Sequence, residues 1–370
     1  MKKIVSALIC AVLLLSGISV FAEDTNKTYT LSLSDAINMA QERSPRLKAL
    51  EVSEETYEYN LKLAKQNKAK MEGMKIKFPA GVNTALVRDG YIVAQNESSL
   101  YLAKKEMEQV KASISYSITE KYYNCVLMNN LLTGAKNTYD AAVKNKEVVD
   151  AKLSLGTIAK IEADNAELTV LSAKLAVENY ERQKALAEEM LKIALEFTDD
   201  EIKDSFLVLT DGVSCEDFTA DVNADSELAK ENRFDMISLA ENVKTLSLYT
   251  DLIEGYLGHK STTYTETNNN LTTLLYNYEN AKKQIGIGIK AQYSNVLMAK
   301  GNIQTAEMAV KVMKTQYEAA RLRFELGMIT NIDLTDILNS LHDREVALEQ
   351  AKINYALAVQ KYKFDVSIGL

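Results

Sequence analysis

Residues 110–139 read VKASISYSITEKYYNCVLMNNLLTGAKNTY, and this stretch decides the fold. Val110, Ile114, Ile118, Tyr122, Cys125, Met128, Leu132, Ala135 and Tyr139 recur at intervals of three or four residues. A mean spacing of about 3.6 places them on one face of an α-helix. Worked outward, the helical pattern extends from about Glu97 to Leu155, with no Pro and with Gly134 as its one glycine. At ~1.5 Å per residue such a helix is on the order of 90 Å long, wider than a single globular domain. It must lie along other helices, as an antiparallel bundle or coiled coil.

Composition agrees. The 370-residue chain has 2 Pro and 14 Gly, well under the usual ~5% and ~7%. So few breakers exclude an all-β sandwich or a doubly wound α/β fold, which need many turns. With 47% apolar residues the chain has material for a sizeable core and is not a disordered polymer. Its net charge is −8 and no run of clustered Lys and Arg appears, which argues against nucleic-acid binding. Lys2-Lys3, the apolar stretch Ile4 to Val20 and Val20-Phe21-Ala22 read as a secretory signal peptide over 1–22. No later segment of ~18 apolar residues predicts a membrane-crossing helix. Beyond the leader only Cys125, on the helical stripe, and Cys215, in a polar stretch, remain, and both are expected to be unpaired. With two histidines, His259 and His342, and no CxxC, the chain lacks the parts for a metal centre or a His-based catalytic dyad.

Around the long helix the organisation repeats. A helical pattern from Leu33 to about Ala69 restarts once at Ser44-Pro45, a helix N-cap followed by the first helical position. Gly156 ends the long helix, and a returning helix runs from about Ile158 to Phe197. A polar connector follows, in which Phe206 to Leu209 is the one candidate strand. Residues 40–50 then align with 229–239, Tyr123–Met128 with Tyr293–Met298, and Leu155-Gly156 with Leu326-Gly327. Three ordered matches point to duplication. The division expected is a first helical repeat over 23–197, a connector over 198–225 and a second repeat over 226–370. The first repeat carries an insertion over 71–95, where Asp89-Gly90 between β-prone runs predicts a short β-hairpin near 84–94.

Two tandem repeats of this kind resemble the TolC-type outer-membrane efflux proteins. The residues that carry the likeness are Leu31 to Ala40 with the following Ser-Pro, and the Leu-Gly turns at 155–156 and 326–327 on ~60-residue helices. The resemblance implies an all-α fold of very long antiparallel coiled-coil helices, one protomer of an α-barrel. It further implies a homotrimer whose helical tube docks a membrane-fusion adaptor and, through it, an inner-membrane transporter. The adaptor-contact tips would be Leu155, Gly156 and Thr157 with Leu326, Gly327 and Met328; each glycine equally suits the positive φ of a helix end. Asp333 and Asp336 fall where the family lines its aperture, and a ring of such carboxylates would favour cations. The alternative is that Asp333 is an N-terminal helix acid and Asp336 is solvated. The resemblance implies no cofactor, metal or catalytic residue.

The likeness has two departures. Ile329 stands where the family has a gating Arg. The runs at 86–87 and 91–93 are also far shorter than the ~9–11 residues of a transmembrane strand, and the second repeat offers no strand pair. The expectation is an exported envelope protein, outer-membrane by resemblance but without the usual barrel. The functions in competition are an efflux or secretion conduit and a structural helical spacer of the envelope. An enzyme with a glycosidase-like carboxylate pair is disfavoured, because charges such as Glu178 and Arg182 recur at helical i,i+4 spacing as solvated faces.

Overall fold

A computed structural model describes residues 27–72, 81–213 and 215–369; the leader expected at 1–22 lies outside them. The described residues begin with strand β1 (Lys27–Leu31), followed by α1 (Leu33–Arg43), α2 (Pro45–Glu72), the short α3 (Val82–Arg88), the long α4 (Tyr91–Ser154) and the returning α5 (Lys160–Ala194). The connector holds α6 (Asp199–Lys203) and β2 (Ser205–Leu209). Then come α7 (Val222–Asn232), α8 (Phe234–Leu257), the long α9 (Thr262–Glu325) and the returning α10 (Asn331–Ser367).

Both long helices have 64 residues. Each is too long to bury itself, so each is covered in two stages. α2 lies along the first part of α4 and α5 along the rest; α8 and α10 do the same for α9. The two hairpins join laterally, chiefly through α10 against α4 and α8 against α4.

The predicted stripe is the core of this arrangement. Ile118, Tyr122, Cys125 and Leu131 of α4 pack with Ala36 and Ala40 of α1, Leu191 and Leu195 at the end of α5, and Ile353 of α10. A second cluster joins Met236, Ile289, Val296, Tyr355 and Tyr362 in the other half. Two tyrosines anchor the connector to these clusters. Tyr122 donates to the Leu31 carbonyl (3.0 Å) and accepts from the Asp211 N–H (2.9 Å). Tyr355 donates to the Glu216 carbonyl and accepts from the Phe218 N–H, both at 3.0 Å. Burial drives the Cys125 thiol up to about 12, so it behaves as a small apolar side chain. Cys125 and Cys215 are unpaired.

The Phe206–Leu209 run does form a strand. β2 pairs in parallel with β1, from Lys27 opposite Ser205 to Leu31 opposite Leu209. The β-hairpin expected near 84–94 is not formed. Val82–Arg88 are helical, and Tyr91 already begins α4. Asp89-Gly90 is instead the corner between two helices, with Gly90 at φ +87°. An isolated pair of four-residue strands is marginal in water. As a helix the same residues bury Ala85 and rest against α2, α4 and α8. Tyr256 of α8 locks the corner by donating to Asp89 Oδ2 (2.6 Å), while Arg88 Nε pairs with Asp89 Oδ1 (2.7 Å). Among the described residues no helix is long and apolar enough to cross a membrane.

Candidate functional site

The end of the molecule opposite the Asp89-Gly90 corner is built from the two turns that the repeated Leu-Gly pairs create. In the first, the N–H of Gly156 reaches the Leu153 carbonyl (2.9 Å) and that of Thr157 the Lys152 carbonyl (3.0 Å). In the second, Gly327 reaches Phe324 (3.0 Å) and Met328 reaches Arg323 (2.8 Å). This is the Schellman closure, which needs a left-handed residue just past the helix end. Gly156 and Gly327 supply it at φ +68° and +69°. The closure leaves Leu155, Leu326 and Met328 projecting, 77%, 76% and 68% exposed. The two tips are neighbours: the Lys152 ammonium lies 5.4 Å from the centre of the Phe324 ring.

The turns differ in how the next helix starts. Ala159 offers α5 no side-chain cap. Thr330 caps α10 fully: its Oγ1 accepts from the Asp333 N–H (3.2 Å), and Asp333 Oδ2 accepts from the Thr330 N–H (2.9 Å) and hydroxyl (2.7 Å). Those bonds from Thr330 hold the Asp333 carboxyl below its ordinary value. Asp333 therefore performs the helix-acid role, with its carboxylate turned back on its own N-terminus. Asp336, one turn on, lines a cleft between the two hairpins and is not part of the cap. The structure thus gives the two aspartates different surroundings within one chain.

That cleft, of about 810 Å³, opens between α4/α5 and α9/α10 behind the tips. Small residues of α4 and α5 (Ala135, Ala142, Ala173, Ala176) make one wall; Tyr317, Phe324 and Leu338 contribute to the other. Helical periodicity did not reveal it, because a cleft between hairpins depends on how two stripes meet. Gly134 beside it was the available signal.

The outer surfaces carry a second feature absent from the sequence reading. Ile161, Leu171, Leu175, Leu186, Met190 and Ile193 of α5 are exposed, and their spacing of three, four, ten or eleven residues keeps them on one face. On α9, Ile287, Met298, Met308, Val312 and Leu322 form a second exposed apolar stripe. Among the described residues no group of His, Cys, Asp and Glu is arranged to hold a metal ion.

No family model matches the chain. It is 24% identical over 271 residues to the toxin and drug export protein A of Aggregatibacter actinomycetemcomitans, an alignment covering 71% of this chain and 54% of that protein. The chain thus spans about half the length of this curated relative. Among solved structures it is similar to the CmeC outer membrane channel of Campylobacter jejuni, with a TM-score of 0.69 and 14% identity over 90% of this chain and 85% of that one. It is equally similar to the outer membrane protein VceC of Vibrio cholerae, with a TM-score of 0.69 and 12% identity over 91% and 96%. The open-state MtrE outer membrane channel of Neisseria gonorrhoeae follows at 0.65 and 14% identity over 90% and 89%. The chain has the fold of the TolC-type outer-membrane efflux channels.

Proposed function

We propose that the chain is the wall of an efflux or secretion conduit: a homotrimer whose helical hairpins close into a tube. The observation that carries this reading is the pair of exposed apolar stripes, one on α5 and one on α9. They lie on different helices, so the contact they support between copies is heterologous, and a heterologous contact that closes generates a ring. Two stripes of this length left in water would be a solubility liability in a monomer. The division into a first repeat over 23–197, a connector over 198–225 and a second repeat over 226–370 fits this use, each repeat supplying one hairpin to the wall.

In this tube the six tip residues 155–157 and 326–328 face an adaptor, and an inner-membrane transporter acts through it. Asp336 and, from within its helix cap, Asp333 border the mouth in this reading, where three copies would present a ring of carboxylates that favours cationic solutes. The protein is exported to the cell envelope and works passively, without catalysis or a cofactor. Among the described residues the only sheet is the short β1–β2 pair.

The mass of the purified chain in solution tests the proposal. Three copies per particle are expected, together with binding to an adaptor hairpin; a monomer at micromolar concentration refutes it.

A further inference from the structure

Gly134 lies deep within the 64-residue α4, where glycine weakens a helix. Its reason is a contact with α10. A Cβ at this position would stand 2.5 Å from Cε1 and 2.9 Å from Nδ1 of His342, so the imidazole rests directly on the α4 backbone. There Nε2 of His342 is shut off from solvent and has no hydrogen-bond partner among the described residues. A buried polar atom without a partner is rare in a folded protein and calls for an account. The ring also borders the cleft between the hairpins, at the place where α10 joins α4.

We propose that the His342–Gly134 contact is a proton-operated latch holding the two hairpins together behind the tips. Neutral imidazole fits the glycine notch with one nitrogen idle. A second proton makes both nitrogens donors, and a charge then sits against an apolar helix surface with no acceptor for Nε2. Histidine is the side chain suited to changing charge between pH 5 and 8. The charged ring is relieved by moving α10 off α4, which lets water and carboxylates reach it.

The neighbouring groups support that direction. On α10 itself Asp336 and Asp343 border the cleft, and both would stabilise a released imidazolium. From α9 come Tyr317, Arg321 and Glu325, with Arg321 and Glu325 paired to each other (3.7 Å). α4 contributes Lys144 and α5 contributes Tyr180. The nearby Lys136 is held by Glu181 (3.2 Å) and Lys314 by Glu345 (3.0 Å), so these two pairs tie each hairpin internally and do not cross the join at His342.

The latch rests on the hairpin arrangement of the conduit reading but is testable within one chain. Spin labels at Ser154→Cys on α4 and Glu318→Cys on α9, in a Cys125→Ala/Cys215→Ser background, report the separation of the hairpins. The labelled chain is refolded with excess unlabelled chain so that distances within one copy dominate. Lowering the pH from 7.5 to 5.5 should lengthen and broaden the distance, and His342→Gln should abolish the response. Gly134→Ala, which denies the ring its notch, should give the longer distance at both pH values. Exposed His259, paired with Glu254 at 3.0 Å, is the control: His259→Gln should leave the response unchanged. An unchanged wild-type distance, or an equal response in His342→Gln, overturns the latch. Should Gly134→Ala fail to fold, His342→Gln still decides. A monomeric particle would defeat the conduit reading while leaving this measurement intact.

Discussion

Replacing Leu171 and Leu175 of α5 by Glu should dissolve the proposed trimer and leave the protomer folded. The two side chains are 54% and 56% exposed in the single chain. Fully burying a Leu contributes about 1.5–3 kcal/mol, so covering the exposed half of each yields roughly 1 kcal/mol per residue. Two positions give about 2 kcal/mol per joint, and a closed ring of three joints about 6 kcal/mol. The introduced carboxylates add to this loss, because a charge pressed against the apolar stripe of α9 must be stripped of water without a partner. Helicity should be unaffected, since the positions are solvent-facing and Glu is a good helix former. Light scattering after size exclusion, with circular dichroism as the folding control, measures both. A double variant that stays trimeric would refute the assignment of α5 as a subunit face. A variant that also loses its helicity would show that the stripe packs within the protomer.

Three further outcomes follow from particular contacts. Arg233 Nη1 reaches Asp365 Oδ1 (3.3 Å), and Asp365 is 7% exposed; Arg233→Ala should therefore cost about 3–5 kcal/mol in urea unfolding, because it strands a buried carboxylate, and a second change, Asp365→Leu, should recover much of that loss. A Cβ at Gly156 or Gly327 would meet no atom within 4 Å, but Gly156→Val and Gly327→Val must adopt φ near +68°; each should lower stability by about 1–3 kcal/mol and weaken binding of an adaptor hairpin, read by calorimetry. The Thr198 N–H and the Arg43 guanidinium lower the Glu201 carboxyl from 4.5 to about 2. Because the folded value is depressed, its stabilisation is present above about pH 4.5 and is lost as the pH falls towards 2; Glu201→Gln should flatten the fall in melting temperature across that window.

What the sequence made legible was what periodicity and backbone chemistry encode locally. The stripe from Val110 to Tyr139 announced a helix because 3.6 residues per turn is intrinsic to the chain, and the Leu-Gly pairs announced its ends because only a glycine enters the left-handed region cheaply. The same local reasoning failed at Asp89-Gly90. A glycine at positive φ serves a hairpin and a helix–helix corner alike, and the choice between them was made by burial of Ala85 against α2, α4 and α8, which no local pattern records. The parallel pairing of β1 with β2 was hidden for a related reason: Lys27 and Ser205 are 178 residues apart, and only the helices between them fix the register. At the candidate site the limit is sharper. Asp333 and Asp336 look equivalent at i and i+3, but Thr330 draws one into a cap while the other borders the cleft. Gly134, which reads in sequence as a weakness in an otherwise unbroken helix, has its explanation 208 residues away in His342. A residue that breaks the local rule at a cost is where a distant contact should be sought, because only an interaction that the sequence does not display can repay the helix for keeping it.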